Sequence, residues 1–201
     1  MPFQNRVDPQ GALHAVPARG AWIGNRGVLH DESRRIVKPW RLQRWIVCAL
    51  EFKGRHREVF TPGRWTELFF LDEATAFAAG HRPCALCRRE DYDRFRQLFG
   101  AAGAPEINER LHLERVDPIT RAHRLHDARL DELPDGAFVL HERMPRLVLG
   151  DALLRWTPAG YSERTARPKD ARATLITPPS LVHVLRAGWQ GAVPLLHPSA
   201  T

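Results

Sequence analysis

The chain has 201 residues, of which 43% are hydrophobic and 26% are charged, as is typical of a globular protein with a buried core. No apolar run approaches the roughly 18 residues that a membrane span needs. The first 20 residues lack the apolar stretch of a secretory signal, and three cysteines are too few for a disulfide framework. We therefore expect a cytoplasmic protein.

The charge balance points to an anionic partner. The formal net charge is +7 and the pI is about 10.1. Most of the positive charge is arginine, whose planar fork pairs well with phosphate, because Lys38, Lys53 and Lys169 are the only lysines. A pI above about 9 is expected of nucleic-acid-binding domains. We expect a nucleic-acid partner, with DNA favoured over RNA.

In chain order, the pattern predicts three regions. Residues 1–35 are rich in proline and glycine and predict an irregular N-terminal arm. Residues 36–130 predict an α+β domain, in which WIVCALEF (45–52) is the clearest strand. Residues 131–201 predict a small β-rich C-terminal lobe that ends in a helix at 178–188. The fold class predicted for the whole chain is α+β.

Local signals place the elements of the middle region. KGRH (53–56) predicts a tight turn that returns the 45–52 strand into REVFTP. Asp72 predicts the N-cap of a short helix that Gly80 ends. A second helix is expected from about Cys84 to Phe99. Residues 101–110 are expected to be a connector, followed by helix within 111–130.

Cys84 and Cys87 are three residues apart at the start of the predicted second helix. This spacing places both sulfurs on one side of a turn, where they can share a tetrahedral zinc ion. Helix N-terminal amides and neighbouring arginines would stabilise the thiolates that zinc requires. A redox CxxC usually follows a strand, whereas this pair follows a short helix, so we favour metal.

A structural zinc site needs two further ligands. Cys48 and His81 are the leading candidates, and the more distant alternatives are His30, His56 and His112. Cys48 also suits a small buried thiol on an apolar strand face, and His81 also suits a packed ring. Cys48 and His56 would lie roughly 16 Å apart along the predicted hairpin, too far to share one ion.

The segment FFLDEATAFAAGHRPCALCRRED (69–91) resembles the second half of the Ada metal-binding domain, the zinc module of bacterial alkylation-response proteins. The matching residues are Phe69, Phe70, Glu73, Ala74, Ala78, Ala79, Gly80, Arg82, Pro83, Cys84, Cys87 and Arg88. The resemblance implies zinc ligation by Cys84 and Cys87 in a domain that contacts the DNA backbone. It identifies residues 36–130 as an Ada-like zinc-binding domain.

Two departures from that family matter. Its earlier Cys-x3-Cys pair, one cysteine of which accepts methyl from phosphotriesters, has no counterpart, since Cys48 is the single upstream cysteine. We therefore expect no methyl transfer. Position 81 is aromatic in the family and histidine here.

Basic residues interleave with Trp40 and Trp45 in the N-terminal half, and cationic grooves with aromatic platforms suit nucleic-acid strands. The candidate contacts are Arg34, Arg35, Lys38, Arg41, Arg44, Lys53, Arg55, Arg88 and Arg89. A solvated charged face is the alternative interpretation of these residues.

Three functional hypotheses follow. The first is a zinc-binding, nucleic-acid-binding protein in DNA repair or processing. The second is a metal-dependent nuclease or other phosphodiester hydrolase, in which His81, His112 or His30 completes an open site and Glu114 is the base. The third is a structural protein-interaction module. Four protein ligands would exclude hydrolysis at this metal, whereas three ligands plus water would favour it.

Overall fold

A computed structural model describes residues 1–54, 58–191 and 195–200 of the chain. The described residues form four α-helices and two six-stranded sheets, so the α+β class is confirmed, and a helix lies near the C-terminus as predicted. None of the helices in this described part is both long and apolar enough to cross a bilayer.

The secondary structure divides into strands that build the two sheets and helices that pack on them. The strands are β1 (Arg6–Val7), β2 (Leu13–His14), β3 (Trp22–Asn25), β4 (Ile46–Cys48), β5 (Leu68–Phe70), β6 (Arg82–Pro83), β7 (His126–Arg129), β8 (Phe138–His141), β9 (Met144–Leu149), β10 (Ala152–Thr157), β11 (Gly160–Ala166) and β12 (Arg172–Leu175). The helices are α1 (Glu73–Ala78), α2 (Arg89–Phe99), α3 (Ala104–Arg115) and α4 (Pro179–Arg186).

The first sheet has the order β2-β1-β5-β3-β4-β6. Three of its strands come from residues 1–35, so this region is not the irregular arm that its proline and glycine content predicted. Short strands with little periodicity carry a weak local signal, and here their partners are remote: β1 pairs with β5, and β3 pairs with both β4 and β5.

The predicted hairpin after residue 45 does not form. The strand is shorter than expected, and β4 pairs with β3 on one side and β6 on the other. Both lateral positions of β4 are therefore occupied by strands from elsewhere in the chain. Residues 55–57, which include the predicted turn residue His56, lie outside the described part of the chain.

Helix α1 lies at the centre of the molecule, and all six of its residues are buried. As predicted, Asp72 is its N-cap and accepts a hydrogen bond from the Thr75 amide. The packing uses small side chains, because Ala76 belongs to the core of the first sheet and Ala74 to that of the second. Alanine lets both layers approach the same helix closely.

The second sheet has the order β11-β10-β9-β8-β12-β7, and α2, α3 and α4 share its apolar core. The expectation of a connector at 101–110 is wrong, because α3 begins at Ala104 with Pro105 in its first turn. The helix expected within 111–130 ends at Arg115.

The connection from α3 to the second sheet contains a histidine whose environment makes stability depend on pH. The ring of His123 bonds to the Ile176 carbonyl at 3.0 Å, and burial lowers the pKa of His123 to about 4. An unfolded histidine titrates near pH ~6.5, so between these values the unfolded chain binds more protons than the folded one.

We therefore expect the free energy of unfolding to fall as the pH is lowered from about 6.5 to 4, with this group contributing on the order of 3 kcal/mol. Urea unfolding at several pH values measures it. His123→Gln should flatten this dependence, whereas the same change at the exposed His183 on α4 should not. Equal pH dependence in both variants would contradict the assignment.

Candidate metal centre

Strand pairing brings the three cysteines together. Strands β4 and β6 are parallel, with Ile46 opposite Arg82 and Val47 opposite Pro83. The pairing continues one step further, because the Cys84 amide donates to the Val47 carbonyl at 3.0 Å. Cys84 therefore leaves the end of β6 beside Cys48, which is the last residue of β4.

The sulfurs of Cys48, Cys84 and Cys87 all lie within 4.8 Å of one another. Within the described ranges, these residues are the one group of three or more metal-ligating side chains at such distances. All three are free thiols. Three soft sulfur donors at this separation could hold a metal ion, and the third donor is Cys48, one of the two residues that the sequence put forward.

Hydrogen bonds among the cysteines favour the thiolate form of one of them, which is the form that binds a metal cation. Hydrogen bonds from the Cys48 and Cys87 thiols, assisted by the Leu86 amide 3.4 Å from the sulfur, lower the pKa of Cys84 to about 2. The same hydrogen bonds, in which the Cys48 thiol is a partner of Cys84 and Cys87, raise the pKa of Cys48. The three thiols thus compete for a common set of protons, which a bound metal ion would displace.

The cysteine turn, residues 84–88, precedes the second helix instead of starting it. Helix α2 begins at Arg89, so the expected helix N-terminus at Cys84 is wrong by about one turn. Backbone amides still point at the sulfurs: that of Leu86 at Cys84, and that of Ala49 at Cys87. The turn, together with Ala49 after β4, supplies the backbone donors that the helix terminus was expected to supply.

The structure places His81 away from the three sulfurs and inside the core. The ring is fully buried, with its centroid 4.6 Å from that of Phe70 and 5.2 Å from that of Trp45. Arg26 Nε donates to its Nε2 at 3.2 Å, and burial lowers the pKa of His81 well below its usual value. His81 therefore packs as a neutral aromatic ring and does not join the cluster.

The other histidines and the proposed base also lie elsewhere. His30 bonds to Thr66, and the ring of His112 packs edge-on against Trp40. The carboxylate of Glu114 accepts hydrogen bonds from the amide and hydroxyl of Ser180 in the first turn of α4. Glu114 therefore stabilises a helix end and is not available as a base at the cysteine cluster.

The cysteine cluster opens onto a large cavity, here called the cysteine groove, with a volume of about 1190 Å³. Its floor is one face of the first sheet, since directly paired residues share a face: Ile23 is opposite both Phe69 and Cys48. The other face of these strands packs on α1. The floor is therefore apolar, and it is not covered by another layer of the protein.

The groove also carries charge. Arg41 and Arg44 are exposed at its wall, Arg82 is buried beside the cysteines, and Glu67 is the acidic residue among those that line it. Neither of the two exposed arginines forms an ion pair with a described residue. The sequence analysis missed Glu67 and the apolar floor, although the mostly apolar faces of the 45–52 stretch were a signal for the floor.

Among the remaining basic candidates, three arginines form ion pairs with acidic residues. Arg34 pairs with Glu58, Arg35 with Asp31 and Arg89 with Asp93. Lys38 and Lys53 are exposed on the surface. Arg55 lies outside the described residues.

Arg88 is not available to phosphates, because its side chain is only 3% exposed. Its guanidinium contacts Glu73 and Asp91, both at 2.5 Å, and stacks 4.2 Å from the ring centroid of Trp22. Burial raises the pKa of Glu73, and the charge of Arg88 opposes that rise. The expected nucleic-acid contact is instead a structural anchor.

No family model matches this chain, and neither the curated proteins nor the solved structures contain a match to it.

The neighbouring arginines allow a matched test of the anchor. Arg88→Gln leaves Glu73 buried without its cation, so we expect the free energy of unfolding to fall by about 3 kcal/mol or more. Arg89→Gln removes an exposed pair and should change it by less than about 1 kcal/mol. Urea unfolding of both variants measures the difference, and similar losses would contradict the buried anchor.

The ligand set allows a second test. Cys48→Ser should weaken metal binding by more than about 100-fold, because loss of a direct ligand exceeds the effect of an outer one. His81→Phe should keep the metal while lowering stability, since Arg26 loses its acceptor. Metal titration with a chelating indicator measures both. Retained affinity in Cys48→Ser, or loss in His81→Phe, would refute this ligand set.

Proposed function

We propose that the protein binds zinc through Cys48, Cys84 and Cys87 and binds nucleic acid at the cysteine groove. The observation that carries this proposal is that the three sulfurs and the exposed Arg41 and Arg44 line the same cavity. The finer assignment, to DNA and to a function in DNA repair or processing, is supported by the resemblance of residues 69–91 to Ada-type domains.

Zinc is the metal that suits these donors best. Thiolates favour soft or borderline ions, and zinc accepts them in a tetrahedral arrangement. Three thiolates leave one position of such an ion without a protein ligand from the described residues, and the cavity beside the sulfurs leaves room for water or another donor there.

Nucleic acid is the partner that suits the charge. The net charge of +7 attracts polyanions, and the two exposed groove arginines are not neutralised by acidic neighbours. Many other surface arginines are paired with carboxylates, as Arg34 and Arg35 are. The groove therefore combines free guanidinium groups with an apolar surface, which is the combination that strands of nucleic acid use.

Elemental analysis and a binding titration test both halves of this proposal. We expect one zinc per chain, and affinity for nucleic acid that falls linearly with the logarithm of salt concentration between about 50 and 200 mM. Absence of zinc would overturn the metal half. Undetectable affinity for DNA and RNA at the lowest salt would overturn the nucleic-acid half.

A second candidate, a metal-dependent phosphodiester hydrolase, is favoured by one observation: three protein ligands next to a cavity are typical of catalytic zinc. The charge argues against it, because three thiolates and Zn²⁺ sum to a net −1, which repels a phosphodiester. Of the acidic residues, Glu67 lines the groove and would be the base.

Incubation of the zinc-loaded protein with labelled DNA tests this second candidate. Cleavage that is lost in Glu67→Gln while zinc is retained would establish it. Intact DNA after incubation with the zinc-loaded wild-type protein would exclude it.

A further inference from the structure

The floor of the cysteine groove is an apolar sheet face that no further helix or strand of the described chain covers; at its β1 side the Arg6 guanidinium lies 4.7 Å from the ring centroid of Phe69. Ile23, Ile46 and Phe69 lie on the three strands β3, β4 and β5, and each is only partly buried. A sheet face that meets water normally carries polar residues. An apolar face in the middle of a sheet indicates that a ligand with an apolar surface lies against it.

The rim of the groove is also apolar. Leu42, Leu50 and Leu86 line it and are 39%, 49% and 66% exposed, so three of the nine exposed large apolar side chains in the described part of the chain lie at this one groove. Aromatic rings are present too, since Phe52 and Trp65 line the cavity beside the floor residue Phe69. Flat rings of this kind provide stacking surfaces for bases.

Cationic groups lie within the same cavity. Arg41 and Arg44 are exposed at its wall. The acidic lining residue Glu67 is only 2% exposed, and one of its carboxylate oxygens accepts a hydrogen bond from the Phe60 amide at 2.9 Å. The ligand that complements this groove therefore has flat apolar parts joined to anionic parts.

We infer that the cysteine groove binds single-stranded nucleic acid, with at least one unstacked base on the apolar floor and its phosphates at Arg41 and Arg44. This inference rests on the proposed function and narrows the partner from nucleic acid in general to single strands. A duplex keeps the faces of its bases covered by stacking and would present only backbone to the groove, leaving the apolar floor in water. The volume of about 1190 Å³ also exceeds the roughly 300–1,000 Å³ typical of a small-molecule pocket.

The test uses the zinc-loaded full chain and fluorescence anisotropy. The probes are labelled oligothymidylate of about 12 nucleotides, a duplex of the same length, and thymidine monophosphate as competitor. We expect the single strand to bind at least about tenfold more tightly than the duplex, and the mononucleotide to compete weakly because it makes one phosphate contact.

Two groove variants and one matched control complete the design. Phe69→Leu keeps an apolar floor but removes the ring, and should weaken single-strand binding by about fivefold or more. Arg41→Gln with Arg44→Gln, both on the surface, should lower the slope of log affinity against log salt by about 0.7 per arginine. Arg143→Gln, on the β8–β9 connection of the second sheet, should change neither.

The outcomes separate this inference from the proposed function. Equal or tighter binding of the duplex overturns the single-strand inference while the proposed function stands. Unchanged affinity in both groove variants would mean that nucleic acid binds outside the groove, and it overturns both. Competition by the mononucleotide at the affinity of the oligonucleotide shows a small-molecule pocket and also overturns it. Absence of binding to every nucleic acid overturns both.

Discussion

The position of the cysteine turn depends on one buried guanidinium. Arg88 directly follows Cys87, and its side chain passes into the core to meet Glu73 at the start of α1. The carboxylate of Glu73 also accepts a hydrogen bond from Trp189 Nε1 at 3.0 Å. One ion pair thus connects the cysteine turn, the central helix and the segment after α4. Removing Arg88 leaves the carboxylate of Glu73 buried without its cation.

The central helix is short, but its N-terminal end holds two buried carboxylates. Asp72 accepts hydrogen bonds from Thr75, from the hydroxyl of Tyr161 on β11 and from the amide of His197 near the C-terminus. Desolvation raises the pKa of Asp72, and these donors oppose the rise. The polar contacts of this helix end attach it to β11 of the second sheet and to the C-terminal segment, whereas its alanines let both sheets approach it closely.

The two faces of the first sheet have different functions. One face packs on α1. The opposite face forms the floor of the groove, so Cys48 of the cysteine cluster and the apolar residue Ile23 lie side by side. The candidate metal centre and the apolar floor are therefore adjacent for a simple geometric reason: they occupy the same face of neighbouring strands.

The local sequence predicted those features that local interactions decide. The capping by Asp72, the end of α2 at Gly100 and the helix at 178–188 each depend on contacts within a few residues, and each is observed. The start of helix α3 lay in a stretch that was predicted to be a connector, although Pro105 occupies a first-turn position where no intrahelical donor is required.

The sequence by itself determined that Cys84 and Cys87 are neighbours, because a spacing of three residues brings two side chains together in any turn. Only the tertiary structure decided that Cys48 joins them, that His81 does not, and that Arg88 is an anchor instead of a phosphate contact. The physical reason is that a strand's periodicity specifies which residues share a face but not which distant strand will pair with it. The parallel pairing of β4 with β6 is such a long-range choice and gathers the cysteine cluster, and the pairing of β3 with β4 and β5 likewise builds the groove floor.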